Sequence, residues 1–141
     1  MNKILVSVDG SKNSKQALEK AKRLANLSEG EVLILHVIND TVNNPYLALN
    51  DYKKAIDNAF VEQGDIILKE AKDLFSDTDI EVQTLLEHGD PGKVIIDISE
   101  KENVDLIIMG SRGLNPLSRM MLGSVSNKVL NNSKTSVLIV K

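Results

Sequence analysis

A chain of 141 residues, 42% apolar and 26% charged, has the make-up of one globular domain spanning residues 1–141, which argues against disorder. A net charge of −3, with two Phe, two Tyr and no Trp, argues against nonspecific nucleic-acid binding and against stacking of single strands. The absence of Cys excludes disulfides, thiolate metal sites and cysteine nucleophiles.

Lys3 to Val8, with Ile4, Leu5, Val6 and Val8, reads as a short central strand closed by Asp9-Gly10-Ser11. No signal-peptide region precedes it, and no apolar run approaches membrane-spanning length, so no membrane association and a cytoplasmic location are expected. Asp9 falls where open α/β sheets bind ligands, although a turn or helix cap explains it equally well. Lys12 to Ser28 has helical spacing at Ala17, Leu18, Ala21, Leu24 and Ala25, with Gly30 as the stop. Val32 to Ile38 is apolar at nearly every position, as in a strand buried on both faces of a parallel sheet. His36 within it reads as a core histidine bonded to a neighbour. Val37 reads as core, or as an apolar wall for a ligand ring.

Asn39 to Asn50 is loop-like and leaves the C-terminal end of a strand, so it would either fold over a ligand or simply connect. Asp51 to Phe75 reads as a long amphipathic helix. Tyr52, Ile56, Ala59, Phe60, Gln63, Ile66, Ile67, Ala71 and Leu74 form one stripe of it, with the Tyr and Phe read as core. Gly64 within the helix costs about 1 kcal/mol relative to Ala and implies a bend or a close approach. Ile80 to Leu86 alternates partially, as an edge strand does. Asp90-Pro91 reads as an N-cap followed by proline in the first turn of a helix that ends near Glu102. His88 just before it reads as solvent-facing or locally bonded.

Leu106 to Met109 is a further buried strand, followed by Gly110-Ser-Arg-Gly113, nine residues, and Gly123-Ser124. Val125 to Leu130 then reads as a short helix. Glycine at a strand end permits a sharp turn and close approach of a ligand. A Gly-Ser pair at a helix start leaves backbone N–H groups at the positive end of the helix dipole. Taken singly, each residue is a turn former or a cap; as an array flanked by Arg112 and Arg119, they suit phosphate. Val137 to Val140 is the last strand.

The alternation of five strands with four helices predicts an α/β fold: a doubly wound, five-stranded parallel sheet in the order 3-2-1-4-5, with helices on both faces. That order brings Asp9 and the Gly110 loop to one crevice although they lie a hundred residues apart. It also leaves Val137–Val140 as a bare apolar edge, which predicts a homodimer through this strand. No P-loop and no G-x-G-x-x-G motif is present, and Asp9 lacks the acidic neighbours of a phosphoacceptor site.

The spacing Gly110-x2-Gly113-x9-Gly123-Ser124, with Val8-Asp9-Gly10-Ser11 near the start, resembles the ATP-binding branch of the universal stress protein family. The likeness covers the whole chain: length, element order, the His36-Val37 strand end, Gly89-Asp-Pro91 and the apolar last strand. It implies the adenine nucleotide alpha hydrolase-like version of the fold. It implies that Ser7, Val8 and Asp9 line the adenine and ribose, with apolar contacts from Val37 and Met109. Gly110, Arg112 and Gly113 would hold the ribose and phosphates. Gly123, Ser124, Val125 and Ser126 would bind phosphates through N–H and hydroxyl groups. The implied ligand is ATP (or AMP or ADP), with Mg²⁺ on the phosphates. The implied role is a homodimeric stress-response and signalling module without catalytic residues. A slow ATPase using the same loop, and a dimeric scaffold that binds no nucleotide, remain alternatives.

Overall fold

The computed structural model describes residues 1–39, 50–112 and 122–141. Along them run β1 (Lys3–Ser7), α1 (Lys12–Ser28), β2 (Glu31–Ile38), α2 (Asn50–Asp73), β3 (Val82–His88), α3 (Pro91–Lys101), β4 (Leu106–Gly110), α4 (Ser124–Asn132) and β5 (Ser136–Val140). The strands form one sheet in the order β3-β2-β1-β4-β5, every neighbouring pair parallel, as the sequence predicts.

The apolar runs of the central strands are continuous because both faces are covered. Ile4, Val6, Val32 and Ile34 pack with Ala17 and Ala21 of α1 on one face. Leu5, Leu33, Leu35 and Ile107 pack with Ile95 of α3 and Val129 of α4 on the other. Ile4, Leu5 and Val6 are wholly buried, each contributing about 1.5–3 kcal/mol. The alanine stripe of α1 brings that helix close to the sheet. Glu29, in the left-handed region at φ 53°, ends α1 just ahead of Gly30.

Helix α2 corrects the sequence reading. Tyr52, Phe60 and Ile66 are exposed rather than core. The C-terminal part of the stripe does face the core: Ala71 is buried and Ile67 and Leu74 pack against it, joined by Gly64, Leu68 and, just beyond the helix, Phe75. Gly64 explains the choice of face: a Cβ there would lie 2.7 Å from Leu86 Cδ1 and 3.0 Å from His36 Cδ2. No larger residue fits this close approach without displacing its neighbours, so the glycine serves close packing.

At the N-terminal end of the strands, Asp105 accepts hydrogen bonds from the N–H groups of Asn2 (2.8 Å) and Lys3 (2.9 Å). These bonds, Lys3 first, hold its carboxyl below the ordinary value. Strand β3 is an edge, as its partial alternation implies; β5 is the other, with Ser136 exposed, Val137 to Ile139 half-buried and Val140 buried.

Candidate functional site

Strands β1 and β4 lie side by side, but α1 packs on one face of the sheet and α4 on the other. Their chain directions therefore diverge at the C-terminal edge and open a crevice, the switch point where such sheets bind ligands. A cavity of about 590 Å³ occupies it, within the roughly 300–1,000 Å³ of small-molecule sites. Ser7, Val8 and Asp9 reach it from the end of β1, and Val37 from the end of β2. Met109, Gly110 and Arg112 reach it from β4, and Gly123, Ser124, Val125 and Ser126 from the start of α4. Gly113 and Arg119 lie outside the described residues, as does the segment 40–49 expected to leave β2.

The turn reading and the site reading of Asp9 are compatible. Its Oδ1 accepts from Ser11 N–H at 2.9 Å, shaping the turn into α1, while the residue lines the cavity. Ser11 then caps α1 by accepting from Ser14 N–H at 3.2 Å. Gly110 also has a packing reason of its own. A Cβ on it would lie 2.7 Å from Asn13 Cβ and 3.0 Å from Asn13 C, so the first turn of α1 rests directly on it. Gly123 is different: a Cβ there would meet its nearest neighbour at 3.4 Å, an ordinary contact.

The start of α4 is pinned through Ser111. The Ser111 carbonyl accepts from Gly123 N–H (2.7 Å) and from Ser126 Oγ (3.0 Å). Ser111 N–H donates to Val140 O at 2.8 Å, and its Oγ accepts from Asn13 Nδ2 at 3.3 Å. One residue thus joins β4, β5, α1 and α4. Gly123, not Ser124, holds the cap position of α4 and offers no side-chain cap; Ser124 is the first helical residue. The first intrahelical bond runs from Asn127 N–H to Gly123 O at 2.9 Å. The N–H groups of Ser124, Val125 and Ser126 precede it and have no acceptor within the helix. The Ser126 hydroxyl is buried and turned inward, within 3.0 Å of both the Ser111 and Gly123 carbonyls.

Ser14 near the start of α1, Pro91 at the start of α3 and the first residues of α4 all line the cavity. Three helix N-termini therefore border it; those of α1 and α3 are capped by Ser11 and Asp90, while that of α4 has no side-chain cap, so its positive end suits an anion although the chain is net acidic. Asp90 caps α3, accepting from Lys93 N–H at 3.0 Å and from Lys128 Nζ of α4 at 2.6 Å. The lysine ammonium first, and the Lys93 N–H second, hold its carboxyl below the ordinary range. Among the described residues no cluster of three or more His, Asp or Glu side chains could hold a metal ion directly.

His36 is bonded to a neighbour, as expected, with Nδ1 2.7 Å from Val8 O. A carbonyl can only accept, so Nδ1 carries the proton. His88 is exposed.

The sequence reading missed the wall supplied by α2, where Phe60, Gln63 and Ile67 face the cavity. The signal was present: Gln63 is a polar residue inside a stripe read as core. It also gave no role to Ser111, whose part depends on contacts with three other elements.

The family model described as the universal stress protein family matches residues 1–141. The chain belongs to this family. Universal stress protein YxiE of Bacillus subtilis is 36% identical over 146 residues, covering 99% of each chain. The solved structure of MJ0577, a universal stress protein of Methanocaldococcus jannaschii, matches with a TM-score of 0.88 at 32% identity, covering 99% of this chain and 95% of that one. A universal stress protein solved in complex with cAMP matches with a TM-score of 0.70 at 26% identity, covering 99% and 95%. Among the described residues of this universal stress protein, no helix is long and apolar enough to cross a membrane.

Proposed function

We propose that this universal stress protein binds an adenine nucleotide, ATP foremost, in the β1–β4 crevice and acts as a nucleotide-dependent signalling module. One observation carries the reading: Asp9 and the acceptor-free N–H groups of Ser124, Val125 and Ser126 line a single cavity. A relative of the same family was solved in complex with cAMP, which supports a nucleotide as the ligand.

The roles follow from chemistry. The main-chain N–H groups of Ser124 to Ser126, at the positive end of α4, hold phosphate oxygens. Gly123 lets the phosphates approach, and Arg112 adds charge from the end of β4. Gly113, by family likeness, shares that task. Asp9, with one oxygen committed to its turn, accepts from a ribose hydroxyl through the other. Ser7 and Val8 line the ribose end, while Val37 and Met109 flank the base. Mg²⁺ arrives on the phosphates and keeps most of its waters, since it is commonly held by substrate phosphates with few protein ligands. The protein works in the cytoplasm as a homodimer, pairing its half-buried β5 edge with a second copy.

Calorimetric titration with ATP, ADP and AMP tests the nucleotide. Binding of at least one at micromolar to sub-millimolar strength is expected, and failure of all three at millimolar concentration ends the proposal.

A further inference from the structure

We infer that His36 is a positioning residue for base selection: its Nδ1–H draws Val8 O out of the sheet and so leaves the Val37 peptide edge open to a nucleotide base. The inference rests on the nucleotide reading above and deepens it.

The alternation of β2 shows which edge is open. Glu31 N–H bonds to Asn2 O, and Leu35 O accepts from Val8 N–H, so the odd-numbered residues present their main-chain groups to β1. Val32 N–H bonds to Glu81 O, and Ile38 O accepts from Gly89 N–H, so the even-numbered residues face β3. Val37 therefore faces the β1 side, just beyond the last pair of that ladder, Ser7↔Leu35. In a parallel ladder a residue's N–H bonds to the carbonyl preceding its partner, as Glu31 does opposite Lys3. Continued by two residues, the register would pair Val37 with Asp9 and carry Val37 N–H to Val8 O.

That bond is not formed among the described residues. Val8 O is held instead by His36 Nδ1, at 2.7 Å. The ring is kept in place from behind by α2, where Gly64 approaches so closely that an added Cβ would lie 3.0 Å from His36 Cδ2. Val37, with its N–H and C=O side by side and no strand beside them among the described residues, lines the cavity.

One donor beside one acceptor is what adenine requires. Its 6-amino group donates, and the adjacent ring nitrogen accepts. Hypoxanthine carries a carbonyl at that position and a protonated ring nitrogen, so donor would meet donor and acceptor would meet acceptor. A site built to pair a polar edge discriminates strongly because the wrong base leaves buried groups unpaired. Without the histidine donor, Val8 O is free to take Val37 N–H, and the edge closes.

The test compares ATP with inosine triphosphate by calorimetry on wild type, His36→Leu and His36→Asn. Asparagine places an amide N–H near the position of the ring Nδ1 and restores the donor. Wild type and His36→Asn should prefer ATP by about tenfold or more. In His36→Leu the preference should fall to about twofold, chiefly through weaker ATP binding. Equal weakening of both nucleotides, or an unchanged ratio, overturns the positioning role while leaving nucleotide binding intact. If wild type binds neither, the nucleotide reading fails and this inference with it. Amide hydrogen exchange supplies a readout free of nucleotide. Val37 N–H should exchange rapidly in the unliganded wild type and become at least tenfold more protected in His36→Leu. Strong protection of Val37 in unliganded wild type would sink the inference even if the leucine variant failed to fold.

Discussion

Gly110 and Gly123 both look like ligand glycines in the sequence, but the structure separates them. Gly110→Ala places a methyl 2.7 Å from Asn13 Cβ and 3.0 Å from Asn13 C. Ordinary contact begins near 3.4 Å, so a gap of 3.4 − 2.7 = 0.7 Å must be made up by moving backbone. The first turn of α1 cannot yield easily, because Ser11 caps it and Ala17 and Ala21 lie fully buried on the sheet behind it. Overpacking of this kind costs about 1–3 kcal/mol. For a domain of this size that lowers Tm by about 4–12 °C.

Gly123→Ala meets nothing closer than 3.4 Å among the described residues, and its φ of −61° and ψ of 159° suit any residue. Its cost is that of a poorer cap, about 0.5–1 kcal/mol. The added methyl, however, sits at the mouth of the α4 cradle and should weaken ATP binding by about tenfold or more, about 1.4 kcal/mol. Differential scanning calorimetry with nucleotide titration reads both quantities. Gly110→Ala should lose stability first, and Gly123→Ala should lose affinity first. If Gly110→Ala melts within a degree of wild type, the close approach of α1 described above is wrong.

The two serines of α4 should divide in the same way. Ser126→Ala removes a buried hydroxyl that bonds within 3.0 Å of two carbonyls, and should cost about 1 kcal/mol in denaturant unfolding. Ser124→Ala removes an exposed side chain with no capping bond, so it should leave stability unchanged and weaken only nucleotide binding. Asp90 should give a pH signature. Its folded carboxyl is held below the ordinary 3.8 by Lys128 and then by Lys93 N–H. A lowered folded value means the stabilisation is complete above the unfolded value and disappears as pH falls through the folded one. The Tm difference between wild type and Asp90→Asn should therefore be constant from about pH 5 to 7 and shrink below about pH 4. A difference that persists unchanged at pH 2 would show that the bonds to Lys128 and Lys93 are not its source.

What could be read from sequence alone was set by how local the cause is. β1 and β4 are continuous apolar runs because they are buried on both faces, and that burial leaves its mark residue by residue. The Asp90-Pro91 start of α3 was equally legible, since cap and proline act within one turn. The order of the strands followed from alternation and handedness, and with it the meeting of Asp9 and Gly110.

Helix α2 shows where hydropathy stops being informative. Its apolar residues occupy more of its circumference than one packing face can bury, so the predicted stripe is buried only in part: Ala71 is in the core while Tyr52, Phe60 and Ile66 stay exposed. The face was chosen by Gly64, which has almost no hydropathy but is the one position where the helix backbone can come down on Leu86 and His36. That choice has a consequence for the site. With the glycine side down, Phe60, Gln63 and Ile67 turn to the cavity, and the ring of His36 is trapped against the end of β1. Packing and site are thus set by the same contact. A Gly64→Ala change, remote from the start of α4, acts on the Val37 end of the crevice through His36 and on the core through Leu86.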